Sequence, residues 1–482
     1  MKKIIYSLLF LTIAASCSDD ITGLNEDTIN PQTTKPEYLL TNAQKALVDQ
    51  MVNPGIYNNV FRLFAQQWSE TQWIFESRYN TTFGKIADVH FSILNRDVIA
   101  NLKQSRNLLD AETAGTPTEI AIVKNKKAVL EILIAYSFSQ MVDTYGDIPY
   151  SQAQNINEFP LPKYDDAQTI YRDLILKLTN ASEVLKAGGT SFGEADLVYN
   201  GDPAKWRKFA NSLKLRMALN MADVNAADAK KWAIEAIAAG VIASNGDNFN
   251  LNYLSLQPNA NPLFGLANSS YKDYFVPSNT LVNKMNTLTD PRRAKFYTTA
   301  PDGSYKGGIY GETNLFTDFS HISSTLTTPT FPGTLFDYSE TEFLLAEAAA
   351  RTFTADSPEM HYNIAITASM INWGIVDPTI ISAYLAQSNV AYATATGSWE
   401  QKIGEQAWVA LYNRGFEAWT SYRRLDFPAL QPPDKTYLNI NTVPKRYMYP
   451  GIEETLNTTN VVDASKNIGG NSMITRVFWD KK

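Results

Sequence analysis

The sequence predicts a mainly α-helical protein, built from helical hairpins with long ordered loop regions between them. Apolar residues recur at helical spacing in many segments, capping patterns open these segments, and short polar connections separate them in pairs. No clean 34-residue repeat is visible, which predicts an irregular stack of hairpins. The chain has 482 residues, 44% of them hydrophobic. This is more than one typical domain contains and is ample for a large core.

The first 16 residues have the pattern of an export signal. Two lysines precede an apolar run at 4–15, which is too short to cross a bilayer as a helix. Small residues from Ala14 to Ser16 then precede Cys17, the only cysteine. An ordinary peptidase could cut after Ser16 and leave a free thiol. Alternatively, the run is a lipoprotein signal, with Ala14 where Leu is usual. Because an odd cysteine in an exported chain needs a reason, we expect Cys17 to be the lipid-attachment site.

Residues 17–36 are predicted to form a flexible tether, because short acidic and polar segments cannot bury enough apolar surface to fold. Ser18, Asp19 and Asp20 follow the cysteine directly. They resemble the surface-export signal of lipoproteins in glycan-degrading Gram-negative bacteria. The sequence is compatible with both roles.

The region 37–240 is predicted to be helical. Thr116-Pro117-x-Glu119 is a capping box with proline at the first helical position. Asp202 starts a later helix that carries Trp206 on its apolar face, and Asn225 opens another that ends near Gly240. Residues 339–427 are predicted to complete the helical scaffold, with three further starts at Ser339-x-x-Glu342, Ser357-Pro358 and Ser398-x-x-Gln401.

Two regions lack this helical period. Asn, Ser, Thr, Gly and Pro dominate residues 241–338, and five prolines occur in residues 428–482. Both regions are predicted to be loop-rich, and loops on a rigid scaffold often carry binding residues. The aromatic residues of the first region are candidates for such a role: Phe249, Tyr253, Phe264, Tyr271, Tyr274 and Phe275.

The sequence contains no convincing catalytic or metal-binding motif. Residues 189–193 fit G-x-S-x-G, but that hydrolase motif needs a strand before its serine, and here an amphipathic helix precedes it. His90, His321 and His361 are the only histidines, and none has a partner at metal-ligand spacing. No cofactor is expected, and a net charge of −7 without a basic block argues against a nucleic-acid partner. A glycosidase needs only two carboxylates in space, so sequence does not exclude one.

Several motifs together resemble the SusD/RagB family of nutrient-binding outer-membrane lipoproteins. The C-terminal signature of that family is matched by residues 414–419 (RGFEAW), followed by Arg423, Arg424 and Pro428. Three other matches occur in family order, namely residues 143–150 (DTYGDIPY), residues 206–218 (WRKFANSLKLRMA) and residues 290–292 (DPR) with the glycines that follow.

The resemblance implies a tetratricopeptide-like helical scaffold and a lipid anchor in the outer membrane, exposed on the cell surface. It also implies a SusC-like, TonB-dependent transporter as partner. Such proteins capture oligosaccharides or peptides and deliver them inward without covalent chemistry. A hidden glycoside hydrolase or peptidase, and a structural lid without ligand contact, remain alternatives.

The ligand-binding residues are predicted in the stretch 66–80, which mixes planar rings with planar polar groups. A sugar presents C–H groups to a ring and hydroxyls to amides, carboxylates or guanidinium groups. We favour Trp73, Arg78 and Tyr79 as ligand-binding residues. Other motif residues are expected to be structural: Trp206, Trp373 and Trp419 in the core, with Arg423 and Arg424 paired to acids or helix ends.

Overall fold

The computed structural model describes residues 34–482, so the predictions for Cys17, Asp19 and Asp20 lie outside the described residues. Within that range no helix has the length and apolar character needed to cross a membrane. The helices are α1 (Pro36–Val52), α2 (Phe61–Phe64), α3 (Ile86–Ser92), a π-helical turn (Ile93–Ile99) leading into α4 (Ala100–Ala111), α5 (Pro117–Tyr145), α6 (Ala167–Leu185), α7 (Pro203–Asn220), α8 (Ala226–Ala239), α9 (Pro262–Ala267), α10 (Asn279–Thr287), α11 (Arg293–Phe296), α12 (Tyr338–Ala350), α13 (Pro358–Asn372), α14 (Pro378–Leu385), α15 (Trp399–Ala410), α16 (Gly415–Leu425), α17 (Gly451–Leu456) and α18 (Thr458–Asn467).

Successive helices pack as hairpins, as the sequence predicts. The helix pairs α5/α6, α7/α8, α12/α13 and α15/α16 pack against each other, and α6 packs on α7 so that neighbouring hairpins stack. The mainly α-helical hairpin scaffold is therefore confirmed. Three short antiparallel pairs are also present in residues 34–482, formed by β1 (Trp68–Glu70) with β5 (Phe275–Pro277), β2 (Ile148–Pro149) with β3 (Tyr164–Asp165), and β4 (Phe249–Leu251) with β6 (Gly333–Phe336).

Side-chain caps start the helices at most of the expected positions. The capping box of Thr116 and Glu119 is present at the start of α5. Ser398 caps α15 through the backbone amide of Gln401. The expected cap at Ser339 is wrong, because Asp337 accepts a hydrogen bond from the amide of Glu340 and starts α12 earlier. A carboxylate can cap a helix as well as a hydroxyl, and Ser339 instead donates to the carbonyl of Ala365.

Trp206, Trp419, Arg423 and Arg424 are structural, as expected, whereas Trp373 is not fully in the core. Trp206 and Trp419 have no exposed surface. Trp373 is half-buried, with its ring centroid 4.6 Å from that of Phe296. Arg424 Nε pairs with Glu347 Oε2 at 2.9 Å. Arg423 Nη1 donates to the carbonyls of Asp143 at 2.7 Å and Lys445 at 2.8 Å.

The C-terminal region is more helical than the sequence suggests. Residues 428–482, predicted to be loop-rich, also contain α17 and α18. The end of the chain returns to the core, where buried Trp479 donates from Nε1 to Asp143 at 2.8 Å. Helical spacing over ten residues or fewer is hard to recognise, since it covers fewer than three turns.

Candidate ligand-binding surface

The pairing of β1 with β5 positions the predicted ligand stretch. Glu70, at the end of β1, lies opposite Phe275, at the start of β5. The amide of Thr71 then donates to the carbonyl of Tyr274 at 3.0 Å. The loop that leaves β1 therefore lies beside the segment that enters β5, although about 200 residues separate them in the chain. This places Trp73 next to the loop-rich region 241–338.

Trp73 is exposed, and its ring packs against the buried ring of Tyr274. Its side chain retains 56% of its accessible surface, whereas that of Tyr274 retains 5%. The two ring centroids lie 6.2 Å apart at an interplanar angle of 30°, and the Tyr274 hydroxyl donates to the Trp73 carbonyl at 3.3 Å. Tyr271, 55% exposed, meets Tyr274 edge to face at 6.4 Å. Tyr274 thus acts as a buried brace between two exposed rings.

More exposed rings border this pair. Phe75 and Phe83 pack against each other with centroids 5.8 Å apart, and both remain exposed. Gly84, beside Phe83, lies against the ring of Tyr57, since a Cβ there would be 3.1 Å from that ring. Contiguous exposed rings of this kind are uncommon on a protein surface without a binding role. We call this set the aromatic surface: Tyr57, Trp73, Phe75, Phe83 and Tyr271.

A buried carboxylate closes the loop that carries Trp73. Glu70, before the loop, accepts hydrogen bonds from the amide and the hydroxyl of Ser77, after it, at 2.9 and 2.5 Å. Glu76 is also fully buried. Desolvation raises the pKa of Glu70 well above its usual range, and the neighbouring charge of Glu76 adds to this; burial also raises the pKa of Glu76. Both shifts favour the protonated form, which avoids two adjacent buried charges.

Arg78 is at the edge of this loop. Its Nε donates to the carbonyl of Gly311 at 2.7 Å, and Nη2 pairs with Glu312 at 3.0 Å. The side chain keeps 26% of its accessible surface. The Arg78 side chain therefore holds the loop against residues 311–312. A ligand contact at Arg78 remains a prediction.

Tyr79 is not on the aromatic surface. Its side chain is fully buried, and its ring meets that of Phe64 edge to face at 5.8 Å. A ring without an exposed face cannot stack on a ligand, so the prediction for Tyr79 is wrong. The backbone turns inward there, with φ of 67°, which carries the side chain from the loop into the core.

A groove continues from the aromatic surface. It has a volume of about 390 Å³ and ends at Ser269, whose hydroxyl accepts from the amide of Tyr271 at 3.1 Å. The groove lies between the segment after α1 and residues 257–269. Its lining combines polar and apolar side chains, namely Asp49, Asn53, Pro54, Gln257, Pro258, Ala260, Pro262, Leu266 and Ser269. A chain-like ligand stacked on the aromatic surface could extend into it.

The structure gives no support to the serine-hydrolase motif. Ser191 is buried and donates to the carbonyl of Gly201 at 3.0 Å. The histidines have other partners: His90 contacts Gln50, His361 contacts Glu342, and His321 contacts the Phe316 carbonyl. Burial lowers the pKa of His90 to about 3. In residues 34–482 no cluster of three or more His, Cys, Asp or Glu side chains could hold a metal ion.

Two of the five rings of the aromatic surface, Tyr57 and Phe83, lie outside the segments in which the sequence predicted binding residues. Of the candidates between 249 and 275, Tyr271 is exposed, whereas Tyr253, Tyr274 and Phe275 are buried. Phe83 follows Asn80-Thr81-Thr82 and precedes Gly84. A large apolar side chain inside a turn-rich segment has little core to pack against, and this is the signal that could have found it.

The comparisons with known proteins agree with the fold. A family model described as SusD-like, starch-binding and associating with the outer membrane matches residues 28–450. The chain belongs to the SusD-like family. Among solved structures, a chitin-binding protein superposes with a TM-score of 0.80 at 26% identity, covering 93% of this chain and 100% of that one. No curated protein shows significant similarity to the chain.

Further SusD-like structures share the scaffold. A SusD homologue from Bacteroides uniformis has a TM-score of 0.77 at 26% identity, covering 92% of this chain and all of its own. A chitin-binding SusD homologue from Flavobacterium johnsoniae reaches 0.77 at 24% identity, over 92% and 97% of the two chains. These matches confirm the tetratricopeptide-like SusD fold predicted from the sequence motifs. SusD-like proteins are binding proteins associated with the outer membrane.

Proposed function

We propose that this chain is a cell-surface lipoprotein that captures oligosaccharides on the aromatic surface. It then delivers them to a SusC-like, TonB-dependent transporter in the outer membrane, and performs no covalent chemistry. The observation that supports this most is the exposed ring of Trp73 braced by Tyr274, with Tyr271 beside it.

The chemistry of the surface favours a sugar chain. Apolar C–H groups on one face of a pyranose ring pack on an aromatic face, and the hydroxyls at its rim bond to polar groups nearby. Rings are exposed at several points of the aromatic surface, and polar side chains line the adjoining groove. Among the relatives, a chitin-binding protein shares 26% of its sequence with this chain. A glycan is therefore a better candidate than a peptide.

The attachment to the membrane is proposed to be a lipid on Cys17. The tether that follows would place the folded part above the membrane, and Asp19 with Asp20 would favour surface display. Cys17→Ala is expected to release the protein from membranes or to leave its signal uncleaved. Finding this variant membrane-bound and protease-accessible on intact cells, like the wild type, would contradict the proposal.

Binding can be tested by calorimetry on the chain without its first 17 residues. The ligands are a soluble chitooligosaccharide, a maltooligosaccharide and a peptide of similar length. We expect the double variant Trp73→Ala/Tyr271→Ala to lose glycan binding. Tyr38→Ala, which removes another ring that is 64% exposed but lies on α1, should bind like the wild type.

Each outcome separates the candidate functions. Peptide binding in place of glycan binding, lost in the same double variant, would assign the surface to peptides. Release of shorter sugars during incubation would indicate a glycoside hydrolase. Intact uptake by cells, together with no affinity of the isolated chain for any ligand, would indicate a structural lid. Co-purification with the barrel of a SusC-like transporter tests the partner independently of the ligand.

A further inference from the structure

A second cavity is lined by a different set of residues. It has a volume of about 190 Å³ and is formed where the β4–β6 sheet meets the end of α13 and the turn between α15 and α16. It shares no lining residue with the aromatic surface or its groove. The lining residues are Val52, Asn250, Phe331, Pro332, Thr334, Asp337, Asn372, Trp373, Ala410, Tyr412, Asn413 and Arg414.

Three asparagines on this lining share one pattern of side-chain hydrogen bonding. In Asn250, Asn372 and Asn413, the side-chain oxygen accepts a hydrogen bond from a neighbouring protein group. Their Nδ2 groups make no hydrogen bond to any other group between residues 34 and 482. Two amide donors, those of Asn250 and Asn413, are therefore held in place at one cavity, and the third, at the exposed Asn372, has a weaker contact. The fixed contacts are Thr334 Oγ1 to Asn250 at 2.7 Å, Asn248 Nδ2 to Asn372 at 3.4 Å and Arg62 Nε to Asn413 at 2.9 Å.

An aromatic wall completes the cavity. Trp373 is half-buried and is held by Phe296, with centroids 4.6 Å apart, and by Tyr412 at 6.0 Å. Phe331, also on the lining, lies 6.1 Å from the tryptophan ring. An indole that lines the same cavity as several amide donors offers both an apolar and a polar contact to one small ligand.

The lining carries no uncompensated charge. Asp337 and Arg414 are its charged side chains, and they pair with each other at 3.1 Å. A charged ligand would have to compete with this pair, whereas a neutral ligand would not. A cavity of about 190 Å³ has room for a small ligand such as one pyranose ring with its hydroxyls.

We propose that this cavity binds a single neutral pyranose residue. The sugar packs one face on Trp373, and its hydroxyl oxygens accept from the amides of Asn250, Asn372 and Asn413. Asn372 is exposed and marks the mouth of the cavity, where a longer glycan would continue into solvent. This cavity binds the terminal sugar of a glycan, and it is separate from the stacking surface around Trp73.

Saturation-transfer NMR with free monosaccharides tests this directly, because it detects weak binding. The probes are glucose, galactose and N-acetylglucosamine. We expect saturation of at least one sugar by the wild type, and binding weakened about fivefold in Asn372→Leu and in Asn250→Leu, the scale of one lost hydrogen bond. Asn107→Leu replaces an exposed asparagine on α4 and should bind like the wild type.

Two results would overturn the proposal. One is the absence of saturation transfer to all three sugars in the wild type. The other is a signal that Trp73→Ala abolishes and Asn372→Leu preserves, which would assign the binding to the aromatic surface. Asn372 is exposed, so its replacement should not change the melting temperature. If Asn250→Leu unfolds the protein, the comparison of Asn372→Leu with Asn107→Leu decides alone.

Discussion

Helix α16 and the loop at 71–84 differ in nearly every physical respect. Every residue of α16, Gly415–Leu425, is buried, and this helix carries the most recognisable motif in the sequence. The loop exposes three of its large apolar side chains, Trp73, Phe75 and Phe83. The family is therefore recognised from packing, whereas the candidate ligand surface lies where packing constrains the residues least.

The constraints on α16 come from several directions. Gly415 lies against α2, where a Cβ would be 2.4 Å from the backbone nitrogen of Arg62. The Arg423 guanidinium lies 3.4 Å from the centroid of the Trp419 ring and donates to two backbone carbonyls. A buried guanidinium with several fixed partners cannot be replaced without leaving some of them unsatisfied. Such positions fix residue type, and this explains why the motif is readable.

Other residues pack against only the inner face of the loop at 71–84. Its inner face is fixed by Glu70, Ser77 and Tyr274, whereas the outer faces of its rings contact no other described residue closely enough to bury them. The outer residues can therefore change with the ligand while the fold remains. We infer that ligand specificity in this scaffold changes at the exposed rings.

The largest effect is expected from Trp419→Ala. The side chain has no exposed surface, and its Nε1 donates to the carbonyl of Pro444 at 2.7 Å. Removing a buried tryptophan typically lowers the free energy of unfolding by about 3–5 kcal/mol. Denaturant unfolding measures this loss. If the variant is as stable as the wild type, the contrast between α16 and the loop is wrong.

The sequence predicted the helical scaffold well because caps and apolar stripes are local signals. The box at Thr116, the cap at Ser398 and the buried stripe residue Trp206 can all be recognised within one or two turns of helix. The pairing of β1 with β5 could not be predicted, since three-residue strands separated by about 200 residues leave no periodic pattern. That pairing is what assembles the candidate site.

The second effect in size is expected from Trp73→Ala. Removing an exposed ring at the centre of a binding surface costs about 2 kcal/mol, or roughly thirtyfold in glycan affinity. The melting temperature should stay near that of the wild type, because the ring is 56% exposed. Calorimetry and thermal melting on the same sample test both parts. A melting temperature lower by many degrees would place Trp73 in the core.

A smaller effect is expected from the buried carboxyl pair under the loop. The pKa values of Glu70 and Glu76 are raised from a usual value of 4.5. Their contribution to stability is therefore complete below about pH 4.5 and is lost as pH rises through the raised pKa values. Glu76→Gln removes one of the two charges, so its stability should fall less steeply as the pH rises above about 4.5.

The difference between this variant and the wild type at the alkaline end should be about 1 kcal/mol, the scale of one hydrogen bond. Thermal melts across the pH range measure it. Glu359→Gln, at an exposed position on α13, is the control and should keep the pH dependence of the wild type. Parallel pH profiles for Glu76→Gln and the wild type would show that the pair does not titrate in this range.

Arg78 and Tyr79 are adjacent in sequence, but the predictions for them had different outcomes because their side chains point in different directions. A residue's type indicates what it can bind, but the direction of its side chain depends on the local backbone. Tyr79 adopts φ of 67° and turns into the core, whereas Arg78 remains partly exposed at the edge. The sequence around Tyr79 contains no glycine or proline that marks this turn, so its burial could not be predicted.

The smallest effect is expected from Arg78→Ala. The pair of Arg78 with Glu312 is partly solvated, and such pairs contribute about 0.2–1 kcal/mol. If Arg78 only fastens the loop, glycan affinity should fall by less than about fivefold, and Glu312→Ala should produce the same change. If Arg78 also donates to the ligand, Arg78→Ala should weaken binding clearly more than Glu312→Ala does. Calorimetry on the two variants side by side therefore distinguishes a fastening residue from a ligand-binding one. Equal losses would remove Arg78 from the predicted site and leave the exposed rings as its basis.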